Sequence, residues 1–67
     1  MITIVVNGEE KQIKKDITLL EVITDLKIED KVMAAAINMT IVKKDNWHKY
    51  KLNNDDKLEL LQFVGGG

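Results

Sequence analysis

The 67-residue chain is 45% hydrophobic and carries ten Lys and Arg against eleven Asp and Glu, a formal charge of -1. That suffices for one domain with one modest core, and the near-neutral balance gives nucleic-acid binding little electrostatic support. With no cysteine and His48 as the single histidine, neither a disulfide nor a metal staple can be assembled, so ordinary packing has to hold the fold. The longest apolar run, Val32 to Ile37, is far short of a membrane span, and Met1-Ile2-Thr3 lacks the basic start and cleavage site of a signal peptide. No membrane association and a cytoplasmic location are expected.

Ile2, Ile4 and Val6 alternate with Thr3 and Val5, the period of a strand with one buried face, and Asn7-Gly8 follows as a hairpin signal. The return strand, roughly Glu9 to Lys15, is mostly charged with Ile13 facing inward, which suits a sheet edge. Thr18 and Glu21 form a capping box that starts a helix, and Leu19, Val22, Ile23 and Leu26 give that helix an apolar stripe able to lie across a sheet. Val32 to Ile37 reads as a short, fully buried central strand whose run of alanines admits the helix closely. Asn38 predicts a turn and Ile41-Val42 a short strand; Asp45 is placed as the cap of a single turn carrying Trp47, which closes an edge of the core, and His48, which lies on the surface. After the polar turn Asn53-Asn54-Asp55-Asp56, a last strand turns Leu58 and Leu60 to one face and Glu59, Leu61 and Phe63 to the other.

Strand, strand, helix, strand, short strand, strand is an α+β order, compatible with a β-grasp fold in which one main helix packs across a mixed sheet. The domain is expected over residues 1–63, with a flexible glycine tail over 64–67.

The tail is the feature that carries chemistry. A strand running into Gly65-Gly66-Gly67 has no structural reason to end that way, because glycine is weak in strands and costs entropy to order. Extended, Val64 to Gly67 reach about 13 Å, enough to thread a narrow cleft, and the Gly67 carboxylate, ionised at neutral pH, can attack the α-phosphate of ATP held in a partner. A frayed end or an added linker writes the same letters. Beside the tail, Val5, Leu61 and Phe63 form either an apolar docking patch or a small second cluster under a loop. Asp55, Asp56 and Glu59 either complement a basic partner or are a solvated turn. Neither a phosphate loop, a metal-ligand spacing nor a Ser/His/Asp set is present, so the chain is expected to be no enzyme and to bind no cofactor itself.

Ala34-Ala35-Ala36-Ile37-Asn38, Ile41-Val42, Trp47 and the ending Leu58 to Gly67 resemble the ThiS family of thiamine-biosynthesis sulfur carriers, ubiquitin-like β-grasp proteins, over the whole chain. One departure is Asn54-Asp55-Asp56, where such carriers commonly read Asp-Gly-Asp; Asp55 can take the left-handed conformation glycine would have. The resemblance implies that a ubiquitin-activating-like adenylating enzyme, using ATP and Mg, forms an acyl-adenylate at Gly67. A persulfide donor then converts it to a thiocarboxylate that gives its sulfur to thiazole synthase, with Gly65 and Gly66 letting the tail thread both active sites. The same tail chemistry would serve a molybdopterin or tRNA-thiolation carrier, and a plain ubiquitin-like interaction domain is the alternative from a different class.

Overall fold

A computed structural model of the chain describes residues 1–62; the expected boundary at residue 63 lies outside the described residues. β1 (Ile2–Val6) and β2 (Glu9–Ile13) are joined by Asn7 and Gly8, both left-handed at φ 48 and 87. A two-residue turn of that hand matches the twist of the strands it connects, and it sets the register from Val6 opposite Glu9 to Ile2 opposite Ile13. β2 is an edge strand, as its charge suggested, and Ile13 is half-buried.

Helix α1 (Leu19–Asp25) opens on the capping box. Thr18 Oγ1 accepts the Glu21 backbone N–H at 3.2 Å, and the Thr18 N–H donates to the Glu21 carboxylate at 3.1 Å. Those bonds to Thr18, aided by the charge of Lys14, hold the Glu21 carboxyl below its ordinary pKa. The Leu19 and Leu20 N–H groups find acceptors outside the helix, the carbonyls of Tyr50 and Trp47 at 2.8 and 2.9 Å. The helix closes on Lys27, left-handed at φ 60: the Lys27 N–H donates to Thr24 and the Ile28 N–H to Ile23, the bond pair that satisfies final carbonyls. Seven residues are too few for a stable helix in water; burial of Leu19, Val22 and Ile23 on the sheet supplies what propensity does not.

β3 (Val32–Ile37), β4 (Thr40–Val42), a 3₁₀ turn (Lys44–Asn46) and β5 (Lys57–Gln62) complete the chain. The sheet order is β2-β1-β5-β3-β4, with β1 and β5 parallel and the other neighbours antiparallel. This mixed sheet with one helix across it is the expected β-grasp arrangement. Three expectations are corrected. The central strand is β5, and β3 is not buried throughout: Val32, Ala35 and Ile37 face the helix, while Met33 is 62% exposed. The helix covers one face only, so an unbroken apolar run here alternates between core and open surface. Asp45 caps nothing either; Lys43 precedes the 3₁₀ turn without a side-chain bond.

The core gathers Ile4 and Val6, the inner helix face, alternate residues of β3 and β5, Val42, Trp47 and Leu52. Trp47 is fully enclosed, and its indole N–H donates to the Val42 carbonyl at 2.9 Å, which meets the polar requirement of so large a buried ring. His48 is exposed. Asp55 is left-handed at φ 70, as its place in the polar turn required.

Candidate functional site

The site is built around β5, the strand that leads to the glycine tail. Leu58 and Leu60 point into the core, and Glu59 and Leu61 point to the face that no helix covers. Of the residues expected to act, Gly65, Gly66, Gly67 and Phe63 lie outside the described residues. Val5 and Leu61 are described, and the sheet register separates them. Val5 pairs with Lys57, whereas Leu61 lies four residues further along β5, about 13 Å away at the rise of a strand, with Glu59 between. Val5 is also half-buried. The two do not form one patch.

Leu61, 62% exposed, instead faces β3 and β4. It pairs with Ala34, and Ala36 pairs with Ile41, so the open face carries Leu61, Ala34, Ala36 and Ile41 side by side. With Met39 from the β3–β4 turn they line a shallow groove of about 430 Å³, with Glu59 at its margin. The alanines make it a groove: small side chains in the middle leave the longer Ile41, Met39 and Leu61 standing around them. Sequence reasoning assigned the alanines to contact with the helix. Only Ala35 is buried in the core, and the β-period places Ala34 and Ala36 opposite. The available signal was that alternation, overridden by reading the run as wholly buried.

The acidic residues expected to meet a partner also divide, and Asp55 and Asp56 lie just before the start of β5, at the opposite end of the strand from Gln62. Glu59 and Asp55 are exposed, but Asp56 is buried and cannot meet a partner. Its carboxylate accepts the Asn53 backbone N–H at 2.8 Å and the Asn38 side-chain amide at 3.0 Å, tying the polar turn to the β3–β4 turn. Among the described residues no group of His, Cys, Asp and Glu could hold a metal.

Beside the last described strand, the open face of the sheet thus carries a shallow, mostly apolar groove. A family model, ThiS family, matches residues 4–67 and so runs through the last glycine. The chain belongs to the ThiS family. It is 32% identical over 62 residues to the sulfur carrier protein ThiS of Bacillus subtilis, covering 91% of this chain and 94% of that one. It is also 33% identical over 64 residues to a thiazole synthase of Paramagnetospirillum magneticum; that match takes in 96% of the chain but spans only 20% of the relative. In fold it resembles the crystal structure of a thiamine biosynthesis protein (ThiS) from Geobacter metallireducens, TM-score 0.81 at 21% identity, over 98% of this chain and 100% of that one. Family membership carries the role of a sulfur carrier in thiamine (thiazole) biosynthesis, a carrier and not an enzyme.

Proposed function

We propose that Gly67 is the sulfur-carrying residue and that the open face of the sheet is where the carrier is gripped. The Gly67 carboxylate attacks the α-phosphorus of ATP in a ubiquitin-activating-like adenylating enzyme, releasing pyrophosphate and leaving an acyl-adenylate. The terminal sulfur of a persulfide donor attacks the acyl carbon and AMP departs. A thiol then reduces the remaining S–S bond, so that Gly67 ends as a thiocarboxylate, a better nucleophile than the carboxylate it replaced. Thiazole synthase takes that sulfur. Gly65 and Gly66 admit the tail to both active sites because neither has a side chain to clash. ATP and Mg belong to the adenylating partner; this chain binds neither.

The observation that carries this reading is the family match through residue 67, which takes in the whole glycine ending. The match of nearly the entire chain to a fifth of a thiazole synthase supports that enzyme as the acceptor. Docking through Leu61, Ile41, Met39 and the alanines between them replaces the patch of Val5, Leu61 and Phe63, since the register holds Val5 apart from Leu61.

Intact mass tests the chemistry. After incubation with ATP, the adenylating enzyme and a persulfide donor, one oxygen of the chain should be replaced by sulfur, and a chain amidated at Gly67 should stay unchanged at unaltered thermal stability. If the unmodified chain never gains sulfur, Gly67 is not the carrying residue and an inert interaction domain is the better description. For the face, Leu61→Asp and Ile41→Asp should each raise the adenylating enzyme's KM for the carrier without unfolding it.

A further inference from the structure

The parallel ladder between β1 and β5 is short, and its end is unusual. It runs from the Val5 N–H to the Asp56 carbonyl and on from the Asn7 N–H to the Leu58 carbonyl, both at 2.9 Å. The next bond of a parallel ladder would run from the Leu60 N–H to the Asn7 backbone carbonyl. At Asn7 the chain has already turned left-handed, φ 48, into the hairpin, and its backbone is no longer presented to β5. The side chain takes over. Asn7 Oδ1 accepts the Leu60 N–H at 2.8 Å, and Asn7 Nδ2 donates to the Leu60 carbonyl at 3.4 Å.

We propose that Asn7 is a positioning residue for the docking end of β5: its carboxamide stands in for a strand backbone beside Leu60 and fixes the strand where it presents Leu61 to the groove. The inference rests on the carrier reading of the tail. A primary amide is suited to this because it presents a donor and an acceptor in one plane, as a peptide group does, and asparagine also tolerates the left-handed backbone of the turn. A hairpin signal alone accounts for Asn at this position, but not for a side chain that reaches across 53 residues of sequence to the strand before the tail. Leu60 is followed by Leu61, which faces the groove, and then by Gln62, the last described residue of β5. Holding Leu60 therefore orients the neighbouring Leu61 side chain toward the groove. Released on its β1 side, this end of β5 keeps, besides the burial of the Leu60 side chain, only its backbone pairing with β3, which is itself irregular between Val32 and Ala34. Each encounter with a partner would then begin from a broader spread of Leu61 positions, and the cost would fall on productive binding more than on chemistry.

Asn7→Gly tests the proposal, since glycine keeps the left-handed turn and deletes only the carboxamide. Amide exchange at Leu60 should speed up by on the order of tenfold while Leu58 is unchanged. With the adenylating enzyme and ATP, KM for the carrier should rise roughly five- to tenfold at constant kcat, measured well below the melting temperature. Asn7→Asp keeps an acceptor for the Leu60 N–H and should lie between wild type and Asn7→Gly; if Asn7→Gly does not fold, this variant carries the test through its own rise in KM. A wild-type KM in a folded variant whose Leu60 amide has lost protection overturns the proposal, because a purely structural clamp would leave KM alone. A wild-type chain that is never adenylated would sink the carrier reading instead, while Leu60 exchange still shows whether the clamp exists.

Discussion

The two hairpin turns are built alike and finished differently. Asn7-Gly8 and Asn38-Met39 are both two-residue turns with both residues left-handed, at φ 48 and 87 in the first and 51 and 72 in the second. In each, the asparagine side chain reaches the central strand: Asn7 bonds Leu60 near the end of β5, and Asn38 Oδ1 accepts the Lys57 N–H at its start, at 3.0 Å. The strand that leads to the tail is thus held at both ends and from both sides by turn asparagines. The difference lies in the second residue. Glycine occupies the left-handed position at no steric cost, whereas Met39 is a bulky side chain there and is 89% exposed, at the rim of the open groove. So exposed a side chain adds little to the core, and the proposed docking face is where it would act.

Breaking the Asn38 side should have the largest effect on stability. Asp56→Ala removes the charged acceptor of two part-buried hydrogen bonds, from the Asn53 N–H and the Asn38 side-chain amide, and should cost about 2–3 kcal/mol, read as a fall in urea midpoint at constant m-value. Gly8→Ala is next. A Cβ there meets no atom within 4 Å, so the cost is conformational alone, about 1 kcal/mol, and should appear as a drop of roughly 4–8 °C in Tm. Met39→Gly is the mirror experiment: relief of the left-handed strain should raise stability by up to about 1 kcal/mol while weakening the adenylating enzyme's grip. A destabilised or equally well-bound Met39→Gly protein would remove the contrast between the turns. The smallest effect lies outside both turns and serves as a control. Because the folded-state pKa of the exposed Glu21 is depressed, its contribution is present above the unfolded value of about 4.3 and is lost as pH falls through the lower folded value. Glu21→Gln should flatten that part of the stability-pH profile and leave the neutral-pH behaviour of both turns untouched.

The hairpin, the capped helix and the final strand were legible because each is written locally: Asn-Gly, Thr-x-x-Glu, and Leu58 and Leu60 set against Glu59 and Leu61. The open face was harder to read. Ala34 and Ala36 look no different in sequence from Ala35, and only the one-sided cover of the sheet by α1 decides which of them meets solvent. Val5 and Leu61 both have outward parity, but parity does not give position along the strands; that depends on where β1 pairs with β5, a contact between the two ends of the chain. The family's glycine ending was plain from the letters.

By itself the sequence determined the main strands and the helix, the helix start, the left-handed positions at Asn7-Gly8 and Asp55, and the chemistry available at Gly67, since all of these depend on residues a few positions apart. Tertiary structure alone decided that β5 is central, that Asp56 is buried, that the groove is made by β3, β4 and β5, and that the Asn7 side chain completes a ladder with Leu60. Each of those joins groups distant along the chain, and no local pattern records which distant partner a backbone amide or an apolar side chain will meet.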